Sequence, residues 1–197
     1  VLIPRPETSE LVRLIANSHQ PSTISNILDI GTGSGCIAIS LAKMIPQSNV
    51  YALDISEKAL DVAKENAINN NVNITFILDD ILMLTQTQTL TQTKFDIIVS
   101  NPPYICQKEA ILMNDNVLKY EPHSALFVPD EDPLLFYKAI AEFGRTHLCP
   151  GGRIYLEINR RFGKQICNLL KDKGYHNIRL LDDQFLNPRF IICTLPL

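Results

Sequence analysis

Short apolar runs alternate along the chain with stretches whose apolar residues recur at helical spacing. This is the alternation expected of an open, mostly parallel sheet covered by helices, an α/β architecture. Glu7 to Asn17 reads as an opening helix. Asn26-Ile27-Leu28-Asp29-Ile30 reads as a short buried strand that runs into Gly31-Thr32-Gly33-Ser34-Gly35 and then a helix from about Cys36 to Met44. A second strand, Val50 to Leu53, ends in Asp54. Lys58 to Asn70 carries Ala59, Leu60, Ala63 and Ala67 on one face and stops at Asn69-Asn70-Asn71. Ile74 to Leu78 and Phe95 to Ser100 are the third and fourth strands, Pro133 to His147 a helix, and Arg153 to Ile158 the fifth strand. A helix from Arg161 to Lys173 is broken by Gly174, and two late strands follow at about His176 to Leu181 and Arg189 to Thr194. Thr85 to Thr93 is polar, Thr/Gln-biased and without a core-forming pattern, so it predicts a mobile loop with no working role.

Composition narrows the classes. With 197 residues, 46% of them hydrophobic and both charge signs mixed, the chain can bury one substantial core, and residues 1–197 are expected to form a single domain. No run of about 18 apolar residues offers a membrane span. The net charge of −3 argues against broad electrostatic capture of DNA or RNA and suits a protein partner. Five cysteines without C-x-x-C spacing imply neither a disulfide framework nor a zinc site, which points to the reducing cytosol, a cytoplasmic location. His19, His123, His147 and His176 are scattered, with neither metal spacing nor the partners of a catalytic triad.

Candidate chemistry centres on Asn101-Pro102-Pro103-Tyr104 at the end of the fourth strand. Pro102 biases Asn101 toward an extended conformation, and the prolines stiffen a turn that can aim the Asn side chain and backbone carbonyls into a pocket. Such oxygens can grip a planar NH2 group. An amide nitrogen is a feeble nucleophile because its lone pair is delocalised, so a catalyst must position it and favour an amine-like geometry. The Asn101 side-chain oxygen and the Pro102 carbonyl can each accept one N–H. These fixed dipoles would also stabilise the positive charge that develops during attack. Tyr104 would pack against the planar amide; its alternative is a half-buried aromatic with its hydroxyl in water.

The turn from Gly31 to Gly35 has the pattern G-x-G-x-G. A dinucleotide fingerprint wants its third glycine at the position held here by Cys36, so the pyrophosphate-cradling version fits poorly, although the glycines still allow a ligand close to the backbone. Asp54, ending the second strand, stands where an acidic side chain accepts both hydroxyls of a ribose. Its alternative is to cap the next helix, a role for which Ser56 is equally placed.

Taken together, these three features resemble the class I S-adenosylmethionine-dependent methyltransferases, in their amino-methylating branch. Within it, Leu2-Ile3-Pro4-Arg5-Pro6-Glu7-Thr8 with Glu10-Leu11-Val12 looks like the signature segment of the HemK-type protein-glutamine N5-methyltransferases that modify peptide-chain release factors. Leu28 to Gly35, Phe95 to Ile105, Tyr120-Glu121-Pro122 with Ala125-Leu126-Phe127, and Pro150-Gly151-Gly152 leading to Leu156-Glu157-Ile158 follow in the family's order. The resemblance implies a Rossmann-like, seven-stranded sheet of order 3-2-1-4-5-7-6 with an antiparallel last strand. It implies S-adenosylmethionine as methyl donor, no metal, and the glutamine of a release factor's Gly-Gly-Gln motif as acceptor. Gly31, Thr32, Gly33, Ser34 and Gly35 would then pass the methionine moiety, Asp29 would lie near its amino group, Asp54 would hold the ribose, and Asn101 would stand between cofactor and substrate. Asp80 and Ile81 would flank the adenine, with the neighbouring Asp79 leaving that register open by one. Catalysis would fall to Asn101, Pro102 and Tyr104, and substrate contact to these with Pro103.

Arg5, Glu7 and Thr8 have two readings, closure over the cofactor or stiffening and capping of the opening helix. Glu121 would either fix the loop after the catalytic turn or be solvated. Asn159-Arg160-Arg161 and Asp182-Asp183-Gln184-Phe185-Leu186 depart from the family's usual wording. The family's helical N-terminal docking domain is expected to be missing ahead of Pro4. Two other classes share these features: an adenine-N6 nucleic-acid methyltransferase, which would need a basic reading surface, and a non-catalytic S-adenosylmethionine-binding module. A nicotinamide-dependent dehydrogenase is disfavoured by Cys36 and by the lack of a hydride-transfer constellation.

Overall fold

The computed structural model describes residues 1, 5–18, 25–83, 90, 93–112 and 122–197. Its centre is a seven-stranded sheet made of β1 (Asn26–Ile30), β2 (Asn49–Asp54), β3 (Thr75–Leu78), β4 (Phe95–Ser100), β5 (Leu148–Glu157), β6 (His176–Asp182) and β7 (Pro188–Thr194). These lie side by side in the order β3-β2-β1-β4-β5-β7-β6. The first five are parallel, and β7 runs antiparallel between β5 and β6. A separate parallel pair, Ile105–Cys106 with Phe127–Val128, was not foreseen from the sequence.

Successive side chains of a strand point to opposite faces, and both faces here are apolar and covered. Ile27 of β1 joins Val50, Ile97, Val99 and Tyr155 beneath α1 (Pro6–Ser18), which supplies Leu11, Val12 and Ile15, and α2 (Cys36–Met44), which supplies Ile37, Ala38 and Leu41. Leu28 and Ile30 face the other way. They join Ile98 and Leu156 under Tyr137, Ile140 and Ala141, with Ile166 and Leu170 in the same cluster. The first three belong to α4 (Leu135–His147) and the last two to α5 (Gly163–Asp172). Ala59, Leu60, Ala63 and Ala67 are the buried face of α3 (Glu57–Asn69), whose first turn is capped by the Ser56 hydroxyl accepting from Ala59 N at 3.3 Å.

Three departures from the sequence expectation have physical causes. β5 begins at Leu148 rather than Arg153, because Gly151 N donates to Leu195 O at 3.1 Å and Leu195 N to Gly152 O at 2.8 Å, which holds the Pro-Gly-Gly stretch in the sheet. The register with β4 shifts there, between Phe95 and Ile97, as a bulge requires. The helix expected from Arg161 opens as a 3-10 turn, Arg160–Phe162, in which Asn159 Oδ1 accepts from Arg161 N at 3.0 Å, and becomes α-helical at Gly163. Leu90, inside the Thr/Gln-biased stretch, is 3% exposed and belongs to the core under α4, so that stretch contributes at least one anchor. Residues 84–89 and 91–92 of it lie outside the described residues, as do Leu2 to Pro4, His19, Tyr120 and Glu121.

Gly35 starts α2 in the left-handed region, with φ 80°. A Cβ placed there would stand 3.0 Å from Ala63 Cβ and 3.3 Å from Ala63 Cα, so strain and overlap coincide where α2 and α3 meet. Gly35→Ala is therefore expected to lower stability by about 2 kcal/mol, read as a shift of the urea unfolding midpoint at unchanged slope.

Candidate functional site

Strand register assembles the site. Ile30 stands beside Leu53 on one side and Ser100 on the other, and Ser100 stands beside Leu156. The next residue on each of these strands is Gly31, Asp54, Asn101 or Glu157, so these four form one row along the carboxyl edge of the sheet. Strand order reverses between β1 and β4, and the crevice outside such a reversal is where open α/β sheets bind ligands. The Ser100 hydroxyl, fully buried, donates to Ile30 O at 2.7 Å and ties the two strands together at this point.

On the β1 side, Gly31 and Thr32 donate their N–H groups to Leu53 O at 2.8 and 3.0 Å. Gly31 and Gly33 have φ values of 71° and 56°, and a Cβ at either would meet nothing within 4 Å. The turn thus presents bare backbone. Beneath it Asp29 is 0% exposed. Its Oδ2 accepts from the Thr32 hydroxyl at 2.6 Å and Ala38 N at 3.2 Å, while Oδ1 is buried without a hydrogen-bond partner among the described residues. Burial lifts its pKa from the ordinary 3.8 to about 7, with nearby Asp54 acting in the same direction and the two hydrogen bonds opposing.

Asp54 Oδ2 accepts from Gly33 N at 2.8 Å and Oδ1 from Ser56 N at 2.9 Å. A carboxylate has about four lone-pair sites, so each oxygen keeps capacity for one more donor. The helix cap is Ser56, and Asp54 ties the glycine turn to the end of β2. The Ser34 carbonyl accepts from Asn66 Nδ2 at 2.9 Å, which anchors the turn to α3. Beyond β3, Asp79 N donates to Asp54 O at 3.1 Å, and Asp79 Oδ1 accepts from Asp80 N at 2.8 Å. Asp80 Oδ1 closes a local turn with Leu82 N at 2.9 Å, and Ile81 is buried in the core.

On the β4 side, Asn101 Nδ2 donates to the Thr8 hydroxyl at 3.4 Å, and that hydroxyl donates to Glu157 Oε2 at 2.9 Å. The Tyr104 hydroxyl donates to Glu157 Oε1 at 3.4 Å, so it is turned inward to a carboxylate and not outward to water. Burial pushes the Tyr104 phenol upward, and the charge of Glu157 adds to this. Glu157 is 2% exposed. Burial raises its pKa and Glu7 contributes, against the opposing pull of Thr8, Arg189 and Tyr104. Pro102 is buried and Pro103 half-buried. After the turn, Asn159 Nδ2 donates both to Tyr104 O and to Glu109 Oε2, each at 3.1 Å.

The structure therefore brings the glycine turn, Asp29, Asp54 and the Asn-Pro-Pro-Tyr turn to one edge. Thr8, one of whose two sequence readings placed it over the cofactor, joins them, as do Glu157, Glu109 and Asn159, which no local pattern had assigned there; Thr8 and Glu157 are 149 positions apart. Thr8 and Glu157 lie in family-like segments, whereas Glu109 had no signal and Asn159 stood in a stretch that departs from the family. Among the described residues, no three His, Cys, Asp or Glu side chains gather as metal ligands, and no helix is long and apolar enough to cross a membrane.

Comparison with known proteins gives the family. The pattern of the methyltransferase-domain family matches residues 22–187. The release factor glutamine methyltransferase of Flavobacterium psychrophilum is 51% identical over 193 residues, covering 96% of this chain and 66% of that protein. That of Bacteroides thetaiotaomicron is 48% identical over 191 residues, covering 97% and 67%. The crystal structure of a release-factor-specific protein-(glutamine-N5) methyltransferase from Alicyclobacillus acidocaldarius shares the fold, with a TM-score of 0.60 at 24% identity over 99% of this chain and 95% of that one. The chain spans about two thirds of the length of the curated relatives it matches. On this match, and on the assembly of the glycine turn with the Asn-Pro-Pro-Tyr turn, the chain belongs to the methyltransferase-domain family and, within it, to the release factor glutamine methyltransferases.

Proposed function

We propose that this chain transfers a methyl group from S-adenosylmethionine to the side-chain amide N5 of the glutamine in the Gly-Gly-Gln motif of a peptide-chain release factor, with residues 1–197 acting as a single catalytic domain. The observation that carries this reading is the orientation of Asn101 at the head of β4. With Nδ2 engaged by Thr8, Oδ1 is the edge left to receive a substrate N–H.

The residues fit the donor. The partnerless buried Asp29 Oδ1 suits an ammonium group, and the bare backbone at Gly31 and Gly33 leaves room for the methionine part beside Thr32, Ser34 and Gly35. The open lone pairs of Asp54 suit two ribose hydroxyls. Asp80 and Ile81 are assigned to the adenine. When bound, S-adenosylmethionine supplies a methyl group activated on a sulfonium. The protein's part is positional and electrostatic. Asn101 Oδ1 and the Pro102 carbonyl accept the two N–H groups of the glutamine amide, Tyr104 packs on its plane with Pro103 beside it, and the acceptor dipoles stabilise the charge developing on nitrogen. No prior deprotonation is required. The five free cysteines accord with a cytoplasmic setting.

Two outcomes test the reading. Label from methyl-labelled S-adenosylmethionine is expected in a release factor, but not in one whose Gly-Gly-Gln glutamine is replaced. Asn101→Ala is expected to lower kcat by about 10²–10³-fold. Label in duplex DNA or ribosomal RNA instead would support the adenine reading.

Asp29 gives a second, linked test. A carboxyl whose folded pKa lies above its unfolded value binds its proton more tightly when folded. Its stabilising contribution is whole below the ordinary 3.8 and is lost as pH rises to about 7. In urea titrations without cofactor, Asp29→Asn is expected to flatten the fall in stability across that interval. At about pH 8 the same variant is expected to bind S-adenosylmethionine about 10–100-fold more weakly, by calorimetry, through loss of the charge facing the ammonium.

A further inference from the structure

Glu157 touches none of the groups assigned above to the reaction except Tyr104, yet its buried carboxyl stands where α1, the catalytic turn and β7 converge. Thr8 and Tyr104 donate to it, and Arg189 and Glu7 bear on it with opposite charges. We infer that Glu157 and Thr8 form a directional hydrogen-bond relay that dictates which edge of the Asn101 amide faces the substrate. The inference rests on the proposed role of Asn101 as an acceptor.

The direction follows from counting protons. The Thr8 hydroxyl donates to Glu157 Oε2 at 2.9 Å in a buried contact, so its one proton is committed there. With its one proton used, Thr8 Oγ1 offers only lone pairs to Asn101. Of the two ends of a carboxamide, only NH2 satisfies a lone pair, and Nδ2 is the atom found 3.4 Å from Thr8 Oγ1. A flipped amide would set Oδ1 against Oγ1 with no proton between them and would aim an NH2 at the substrate's NH2, donor against donor. An unmade bond in such a setting is costly, which holds one orientation in excess. Tyr104 obeys the same rule, because the carboxylate takes its proton through Oε1 and leaves the phenol oxygen an acceptor toward the site. Thr8 and Glu157 are thus positioning residues. The Thr8 hydroxyl has a role beyond its place in the first turn of α1, and Glu157 works through two others.

The test uses the intact chain and reads the relay with and without turnover. In nitrogen-15 spectra, the Asn101 side-chain amide is assigned by its disappearance in Asn101→Ala. Its protons are expected to exchange with water measurably more slowly than those of the exposed Asn71. Thr8→Val, which keeps the side chain's shape and removes the hydroxyl, is expected to abolish that protection and to lower kcat on a release factor by about 10–100-fold. The S-adenosylmethionine Kd is expected to change little, whereas the thermal midpoint is expected to fall because the buried Glu157 loses a donor. Thr8→Ser should restore protection and rate. Fast exchange of Asn101 in the parent, or retention of protection and rate in Thr8→Val, overturns the relay. If protection behaves as described while the parent methylates no release factor, the relay stands and the proposed substrate falls.

Discussion

The fully buried Ser100 hydroxyl meets the Ile30 carbonyl across 2.7 Å, and that bond holds β4 against β1 where the two strands end. Everything at the site is referred to this register. A slip of one residue would exchange the two faces of β4, carrying Ile98 from the core under α4 to the face beneath α1 and displacing Asn101 from the row it shares with Gly31, Asp54 and Glu157. Because both faces of the sheet are apolar and covered, the core itself enforces the register. The polar row at the carboxyl edge is placed by hydrophobic packing a few residues upstream, not by its own contacts.

That edge gathers three largely buried carboxyl groups, Asp29, Asp54 and Glu157, in a structure whose interior otherwise admits few charges. An unpaired buried charge is costly, so the way each is satisfied is informative. Glu157 receives two hydroxyl protons and lies near Arg189, which is itself held by Asp183 at 3.2 Å and by the Ile158 carbonyl at 3.4 Å. Asp54 receives two backbone N–H groups. Asp29 receives two donors on one oxygen and none on the other among the described residues, and burial raises it to about 7. A fold left with one unsatisfied oxygen under a turn of bare glycine backbone tolerates a cost that a cationic ligand would remove. The proposed donor carries such a charge.

Much of this was legible in the sequence, and what was not had a common cause. Asn26–Ile30, Cys36–Met44 and Phe95–Ser100 were readable to the residue because their apolar periods and boundaries are local. The paired turns after β1 and β4 were readable because glycine and proline constrain the backbone wherever they stand. The strand order came from resemblance, since no single residue encodes which strand lies beside which. The start of β5 was misplaced because Pro150-Gly151-Gly152 has the signature of a turn, and only the distant Leu195 keeps it in the sheet. The link from Thr8 to Glu157 was invisible for the same reason: each is unremarkable among its neighbours, and their meeting is a product of α1 lying across the end of β5. Thr8 read either as a helix cap or as part of a closing segment; in the structure it stands in the first turn of α1 and its hydroxyl donates to Glu157.

Asn159-Arg160-Arg161 stood out in the sequence as a departure from the family's wording, and the structure gives it work. Asn159 reaches the Tyr104 carbonyl and Glu109, Glu109 also accepts from Cys106 N at 3.0 Å, and Arg161 pairs with the far oxygen of Glu109 at 2.8 Å. The Arg161 side chain is 57% exposed and that of Glu109 15%, so the ion pair by itself contributes little. Its weight is geometric. By holding one Glu109 oxygen it leaves the other to tie Asn159 and Cys106 N together. The backbone of the Asn-Pro-Pro-Tyr turn is then fastened at the Tyr104 carbonyl as well. Tyr104 is gripped at both ends, its hydroxyl by Glu157 and its carbonyl by Asn159, residues separated by a single position at the end of β5. A turn stiffened within by two prolines and clamped outside at both ends of its tyrosine has little freedom left, which is the condition for fixed dipoles to stabilise charge without first reorganising.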